Sequence, residues 1–415
     1  MSGRIVFHID VNSALLSWSA LDRINRGIDQ VDLRTIPSAV GGDEQARHGV
    51  VLAKSTPAKR YGVATGEALM TARKKCPNLV VVQPDFHLYV EQSTKLRRIL
   101  EKYCDQVIPY SIDEAWMIFE GFEALHKDPE AFANKLREEV RDTLGFTVNI
   151  GISENMLLAK MAGDFKKPDM VHTLFRSEIP KKLWPLPVGK LMFAGKAAVD
   201  KMHSLGIYTI GDLAAADPAM LLSHMKKQGE ALRRYALGQE TEDMFGMQEE
   251  SKGVGNSTTT PVDVTDTDYA RQILLSLSET VGMRLRADKM KTCCVQVKMR
   301  TSAFENYSRQ MQLDSATDVT EEIFENAYTL LMRMWDGHKP LRLLGVTATS
   351  LTHEEYRQYS LFDQADYEKL EKANKAIDAI RARFGEDSIM RASFLKSNVE
   401  HTSGGLNKEK RNKKS

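Results

Sequence analysis

The segment Arg4 to Asp10 is apolar at Ile5, Phe7 and Ile9 and also at the intervening Val6, and it ends on an acid. A strand that is apolar on both faces belongs in the middle of a sheet covered on both sides. The following residues must be arranged around it. Helical patterning runs from Ala14 to Ile24, Val50 to Lys54 reads as a short strand, and Thr71 to Lys75 as a helix ending at Cys76-Pro77. Leu79 to Val82 is a second buried strand, followed by a long amphipathic helix from about His87 to Tyr103. Gln106 to Tyr110 and Ala115 to Phe119 are strands joined by Ser111-Ile112-Asp113-Glu114, which predicts a hairpin. A helix from Pro129 to Leu144, a strand from Thr147 to Ile152 and a helix from Asn155 to Phe165 complete this region. Interleaved strands and helices with a hairpin among them predict an α+β sandwich rather than a purely parallel sheet.

Composition shifts at Lys166 to Asp169, and from there to about Gln248 the chain reads as short helices separated by Gly and Pro. Glu249 to Asn256 reads as a linker, and Ser257 to about Leu351 as helices and β-branched strands. Beyond Thr352 come a short apolar motif, one amphipathic helix with Tyr367, Leu370, Ile377, Ile380 and Phe384 on one side, and a lysine-rich end from Lys408 to Lys414. The 415 residues are enough for about two to four domains.

Charge argues little on its own: 57 Lys and Arg against 56 Asp and Glu exclude a uniformly basic coat but not charge sorted onto one face. Residues 251 to 350 are neutral as a whole, yet seven of the nine charges between Arg284 and Arg309 are basic (Arg284, Arg286, Lys289, Lys291, Lys298, Arg300 and Arg309). On alternating strand positions these could line a phosphate-facing stripe, although a solvated strand face is the plainer alternative. No apolar stretch approaches the ~20 residues of a membrane span, and the N-terminus offers no signal-peptide core. Cys76, Cys104, Cys293 and Cys294 lack Cys-x-x-Cys spacing, so a zinc site or disulfide framework is not expected and a reducing cytoplasm is the simplest compartment.

Three acids carry the chemistry: Asp10 at the end of the first strand, and Asp113 with Glu114 at the hairpin tip. A hairpin strand beside the first strand would bring them to one sheet edge. Clustered carboxylates repel unless cations neutralise them, which points to hard divalent metal. Two such ions about 3.5–4 Å apart support phosphoryl transfer. Taken singly, each acid is as readily explained by an ordinary solvated turn.

Read together, Phe7-His8-Ile9-Asp10-Val11-Asn12, Gly41-Gly42, Lys59-Arg60-Tyr61-Gly62-Val63, Ala72 with Cys76-Pro77, Tyr89 with Ser93, and Ser111-Ile112-Asp113-Glu114-Ala115 stand in one order. Gly151-Ile152-Ser153, Asn155, Leu158-Ala159-Lys160 and Lys167-Pro168-Asp169 continue it. This ordered set resembles the Y-family translesion DNA polymerases, of the bacterial DNA polymerase IV type, over roughly residues 4 to 365. Gly41-Gly42-Asp43-Glu44 also resembles the diguanylate cyclase signature, but Gln45 stands where that signature has an aromatic residue.

The resemblance implies a right-hand polymerase: a ferredoxin-like palm and small fingers in 1–168 (fingers about 14–78), a helical thumb in 169–248 with a helix-hairpin-helix, and an α/β little finger in 249–351. A segment 352–415 would hold a clamp-binding motif, a helix and a basic tail. It implies low-fidelity, template-directed synthesis by two Mg²⁺ ions, with Asp10, Asp113 and the Val11 carbonyl as ligands. Glu114, also counted among the metal-binding residues, would complete the cluster beside the primer 3′-hydroxyl, with Ser111 supporting the turn. Lys167 would contact the incoming triphosphate.

Two positions depart from the family pattern. Tyr and Arg of the fingers are here Thr56 and Lys59, and Lys lacks the bidentate fork of Arg, so a weaker hold on nucleotide is expected. The aromatic sugar gate five residues after the first metal Asp is Leu15, which predicts relaxed rejection of ribonucleotides unless neighbours fill the gap. In the thumb, Leu186-Pro187-Val188, Ala194-Gly195-Lys196 and Leu205-Gly206-Ile207 resemble the helix-hairpin-helix, with Phe193 where a glycine is common. Gly195 and Gly206 would approach DNA phosphates, and Arg284, Arg286, Lys298 and Arg300 would contact DNA from the little finger. Gln358, Leu361 and Phe362 of Gln358-Tyr359-Ser360-Leu361-Phe362 resemble the anchors of a bacterial sliding-clamp pentapeptide. Expected partners are primer-template DNA, dNTP and the clamp, with the chain acting as a monomer. The competing reading is a DNA- and clamp-binding accessory protein with weak or lost synthesis, motivated by Thr56, Lys59 and Leu15.

Overall fold

The structure, a computed structural model, describes residues 3–43, 47, 49–122, 128–241, 244–245, 251–353, 366–385 and 388–394. The chain separates into two compact units, residues 1–42 with 50–248, and residues 43–49 with 249–415.

In the first unit, β1 (Ile5–Val11) is buried on both faces from Val6 onward, as its apolar pattern demands. A central strand needs a partner on each edge, and β1 pairs antiparallel with β6 (Glu114–Phe119) on one side and β7 (Val148–Ser153) on the other. The hairpin partner β5 (Val107–Pro109) extends one edge, and β8 (Val171–Thr173) adds in parallel at the other. The order β5-β6-β1-β7-β8 thus contains the antiparallel arrangement of a ferredoxin-like sheet, with one strand appended. One face packs Phe7, Ile9, Ala115, Met117 and Ile150 against α1 (Ala14–Asn25), α4 (Phe86–Leu100) and α5 (Pro129–Leu144). The other face carries Val6, Trp116 and Ile118 toward α6 (Met156–Gly163).

Helix α6 lies unusually close to the sheet. A Cβ on Gly151 would stand 1.9 Å from the Ala159 carbonyl oxygen and 2.4 Å from the Gly163 nitrogen. Only a glycine at 151 lets the helix backbone approach that closely. The Asn155 side chain caps α6 by accepting from the Leu158 N–H at 2.8 Å, so its start is set as firmly as its height above the sheet.

Between α1 and α4 the chain forms a three-stranded sheet, β3-β2-β4, from Val51–Lys54, Ser38–Gly41 and Val80–Val82. Strand β2, which escaped the sequence pattern, is only four residues long and fully buried. It is flanked by the short helices α2 (Thr56–Arg60) and α3 (Leu69–Lys75). After β8 come α7 (Ile179–Lys182), α8 (Lys196–Ser204), α9 (Ile210–Ala215) and α10 (Pro218–Ala236), gathered around Leu183, Met202, Ile210 and Leu232.

The second unit is a four-stranded antiparallel sheet, β11-β10-β12-β9, from Asn306–Thr317, Lys291–Thr301, Leu341–Thr352 and Gly253–Val264. Helices α11 (Thr267–Ala287) and α12 (Thr320–Met334) cover one face through Leu274, Leu277, Val281, Ile323 and Leu331. The expected linker through Asn256 is in fact the start of β9. Its glycines serve closeness rather than flexibility, since a Cβ on Gly255 would meet Thr347 Oγ1 at 2.7 Å.

The helix expected near the C-terminus is α13 (Tyr367–Phe384), but its buried side is not the predicted apolar one. Asn374 and Arg381 are buried while Ile380 and Phe384 are exposed. Polar groups dock it: Arg286 pairs with Asp378 (2.6 Å) and Arg381 with Glu279 (3.1 Å), while Arg391, beyond the helix, pairs with both Glu279 (2.5 Å) and Glu321 (2.6 Å). A periodicity argument counts apolar residues and cannot register a helix held by buried ion pairs. The Gln358–Phe362 motif and the Lys408–Lys414 tail lie outside the described residues.

Candidate active site

The β1–β6 register sets Asp10 directly opposite Glu114, so the two side chains leave the sheet on the same face, with Asp113 at the preceding turn position. The Val11 N–H donates to the Asp113 carbonyl at 3.1 Å, locking the hairpin tip against the end of β1. Ser111 shapes the tip: its Oγ donates to Asp113 Oδ1 (2.5 Å) and accepts from the Glu114 N–H (3.1 Å). The three acids are therefore gathered at one strand end, as the sequence implied.

Two lysines stand over them. Lys160, on α6, donates to Glu114 Oε2, and Lys167, on the loop after α6, donates to Asp10 Oδ2. Lys167 also pairs with Asp164 at 2.8 Å. The loop bearing Lys167 is held by two asparagines. Asn12 Oδ1 accepts from the Asp169 N–H at 2.9 Å, and Asn149 Nδ2 donates to the Lys166 carbonyl at 2.7 Å. Asn12 Nδ2 in turn donates to Asn149 Oδ1 at 3.1 Å.

Electrostatically the facing acids diverge. Burial raises Asp10 to about 6, against the pull of Lys167. Burial also works against the Glu114 anion, but the neighbouring His8 ring and the Lys160 ammonium outweigh it and bring the group to about 2. His8 Nε2 is 3.5 Å from Glu114 Oε2, and burial lowers the His8 pKa, so this ring is neutral at pH 7. The shorter Lys160 contact is the firmer of the two. Among the described residues no three His, Cys, Asp or Glu side chains converge as a ready-made metal cage. The donor set is nevertheless all oxygen, which suits a hard divalent cation. Asp10, buried and driven toward its neutral form, is a carboxylate whose anion lacks sufficient positive charge around it. These residues fit Mg²⁺.

The other predicted positions scatter more widely. Thr56 and Lys59 are exposed and one helical turn apart on α2, which Ser55 caps by accepting from the Ala58 N–H at 3.1 Å. Lys54, which the sequence reading missed, lies beside them. Its pKa is lowered by burial and then by Lys59, two cations held near each other as an anion-binding pair would be. Its place at a strand end carried no motif. Leu15 is half-buried on α1 and packs against both the main sheet core and the Leu16–Val40–Val82 cluster. Gly195 begins α8, and Gly206, at φ +78°, has open space around its α-carbon. Phe193 adopts φ 66°, the left-handed backbone that a glycine would take without strain.

In the second unit, Lys298 is exposed and Arg300 half-exposed on the sheet face opposite the helices, with Arg300 donating to Asn306 at 2.8 Å. Arg284 and Arg286 do not join them. Arg284 is buried and donates to the Gly255 carbonyl at 2.9 Å. Arg286 is consumed by Asp378, the Asp318 carbonyl and Asn374. Both lie on α11 rather than a strand, so the alternation that predicted a stripe never applied to them. Arg309 faces the helix side as well, because it pairs with the buried Val297.

The opposed shifts give a pH signature. The folded pKa of Asp10 exceeds its ordinary value of 3.8, so its contribution to stability falls as pH rises from about 4 to about 6. Glu114 behaves conversely, contributing fully above its ordinary 4.5 and losing that contribution as pH falls toward 2. Asp10→Asn, measured by urea unfolding without divalent metal, is expected to gain about 1–3 kcal/mol over wild type at pH 7.5. The gain should vanish below pH 4.

Residues 9–164 match the impB/mucB/samB family, and residues 251–361 match the C-terminal domain of that family. The chain is 43% identical to the DNA polymerase IV of Clostridium acetobutylicum over 397 residues, covering 94% of this chain and 98% of that protein. It is 36% identical to the DNA polymerase IV of Acetivibrio thermocellus, again over 94% of this chain and 98% of that one. Among solved structures, a Y-family DNA polymerase chimera built from Dbh and Dpo4 superposes with a TM-score of 0.69 at 18% identity, covering 84% of this chain and all of the other. That likeness fixes the α+β fold, and the sequence relationships fix the lineage: the chain belongs to the impB/mucB/samB family of Y-family translesion DNA polymerases, in the DNA polymerase IV group.

Proposed function

We propose that this polymerase extends a primer 3′-hydroxyl by nucleotidyl transfer from dNTP at the Asp10–Asp113–Glu114 cluster, acting as a monomer in a reducing cytoplasm. The observation that carries the reading is the β1–β6 register, which opposes Asp10 and Glu114 and adds Asp113 at the same strand end. In this assignment residues 1–168 are palm and fingers, 169–248 thumb, 249–351 little finger, and 352–415 the clamp-binding end.

Asp10, Asp113 and the Val11 carbonyl would hold two Mg²⁺ ions, with Glu114 completing the cluster. When bound, such ions lower the pKa of an attacking hydroxyl and neutralise charge on the departing pyrophosphate. The rest is done by the chain. Glu114, anionic throughout the working pH range, would face the primer terminus. Lys167 would exchange Asp10 for a triphosphate oxygen, a reading supported by a loop fixed by Asn12 and Asn149 and a side chain that is partly exposed. Lys54, Thr56 and Lys59 offer two cations and a hydroxyl to the outer phosphates, without the fork of an arginine. The new bond forms between the 3′-oxygen and the α-phosphorus as the bond to pyrophosphate breaks.

The open sheet face bearing Lys298 and Arg300 would track duplex phosphates, and the turns at Gly195 and Gly206 would add backbone contacts. None of these reads a base edge, which suits synthesis on any template. Gln358, Leu361 and Phe362 would tether the chain to the sliding clamp, raising the local concentration at the primer end.

Primer extension on a primed template separates synthesis from an accessory role. Wild type is expected to extend, and Asp113→Ala to lose about 10³-fold or more in rate while still binding the template. Extension by both, or by neither, would refute the assignment. Leu15→Phe is expected to raise the dNTP-over-rNTP preference by about 10- to 100-fold; an unchanged ratio would mean that other side chains close the sugar pocket. In titrations of DNA affinity against salt, the Lys298→Ala/Arg300→Ala double variant should flatten the log–log slope by about 2. Arg286→Ala should leave that slope alone and instead cost about 3–5 kcal/mol of stability, because it breaks a buried ion pair.

A further inference from the structure

Phe193 breaks a local rule. It is a bulky residue with φ 66°, a backbone that a glycine would take freely, and it is 43% exposed. The turn around it is closed by backbone alone, with the Ala194 N–H donating to the Leu191 carbonyl and the Gly195 N–H to the Phe193 carbonyl, both at 3.1 Å. What the phenylalanine adds is contact. Its ring centre lies 5.8 Å from that of Tyr235, in the last turn of α10, and 6.2 Å from that of Phe245. Phe245 in turn meets Trp116 at 4.5 Å and Tyr110, edge-on, at 5.9 Å. It therefore packs against two cores at once: the helical core around Leu183 and Met202, and the Val6–Trp116–Ile118 face of the main sheet. The chain leading to it is pinned at the start of α6, where Asn155 Nδ2 donates to the Gly238 carbonyl and the Met156 N–H to Glu240 Oε2, both at 2.9 Å.

We propose that Phe193 and Phe245 form an aromatic brace between the Phe193–Gly195 turn and the acid-bearing hairpin. The row Phe193–Phe245–Trp116 ends on β6, the strand that begins at Glu114, and Tyr110, edge-on to Trp116, lies one residue before Ser111. The brace holds DNA backbone bound at the turn in a fixed register with the acids, and the inference rests on the proposed reading of that turn as a phosphate contact. Aromatic rings suit this task, because they are rigid, cover large areas and favour tilted or edge-on contact at ring separations of about 4.5–7 Å. A glycine at 193 would leave the turn's own N–H groups in place while ending the row at Phe245. Displacing a reacting group by about 1 Å costs up to about 100-fold in rate. Phe193 is on this reading a positioning residue, and the contact it makes offsets its backbone strain.

The distinguishing consequence is that turnover falls while DNA binding persists. In the full-length chain, Phe193→Gly is expected to lower kcat for single-nucleotide insertion by about 10-fold, with the dNTP KM within about twofold and the primer-template Kd within about threefold. Phe193→Tyr, which keeps the ring, should retain most of kcat. In a Phe245→Leu background, itself slower than wild type, Phe193→Gly should add no further loss, because the row is already broken. Urea unfolding of each variant checks that it is folded under the assay conditions, so that lost packing is not mistaken for lost register. An unchanged kcat in Phe193→Gly would overturn the proposal. So would a rise in the primer-template Kd of about tenfold or more with kcat intact, which would make Phe193 a DNA contact, or losses that add in the Phe245→Leu background. The phosphate reading is tested apart from the brace by Gly195→Ala. Gly195 has φ −68° and open space around its α-carbon, so an alanine fits the fold, but its methyl would meet an approaching phosphate. Weaker DNA binding by Gly195→Ala is expected, and an unchanged Kd would refute that reading and the brace's role with it.

Discussion

The antiparallel pairing of β1 with β6 places Asp10 opposite Glu114, and much of the first unit can be understood as the means of tolerating that pairing. Like charges directly across a strand pair destabilise a sheet, and burial makes the repulsion worse. The chain meets the problem unevenly. Lys160 and His8 stabilise the Glu114 anion, while Lys167 only partly compensates Asp10. The result is one carboxylate held firmly ionised and one left short of positive charge.

Everything that brings the lysines to the acids follows from close packing. Gly151 lets α6 descend onto β7, which aims Lys160 at the hairpin tip. The loop after α6 is then fixed by Asn12 and Asn149, with Asn149 also donating to the Gly163 carbonyl at 3.1 Å. Asn12 lies two residues after Asp10, and so the chain segment that carries this acid also anchors the loop that carries its counter-ion. Backbone, helix cap and amide network are thus coupled to a single electrostatic arrangement.

The second unit shows a different use of charge. Its sheet turns a polar face bearing Lys298 and Arg300 away from the helices, while Glu279, Arg286, Glu321 and Arg381 are spent on docking α13 and Arg391 pairs with Glu279 and Glu321 beyond it. The nearly equal totals of basic and acidic residues therefore conceal two populations, one paired internally and one left at the surface. Seven basic residues between 284 and 309 looked like one stripe. Only Lys298 and Arg300 share the open face, because the segment crosses from helix to strand and a register then divides the rest.

By itself the sequence determined the doubly apolar central strand, the hairpin with its acids at the tip, the helices flanking them and the ordered motifs that mark the lineage. Each of these is encoded locally, by period, by turn residues or by spacing. The tertiary structure alone decided which carboxylate is the more readily protonated, which lysine meets which acid, and which arginines reach solvent. Strand β2 and the polar docking of α13 belong with them. Each of these depends on burial and on partners distant in the chain. Lys160 is 46 residues from Glu114 and Arg286 is 92 from Asp378, and no local pattern records such a distance.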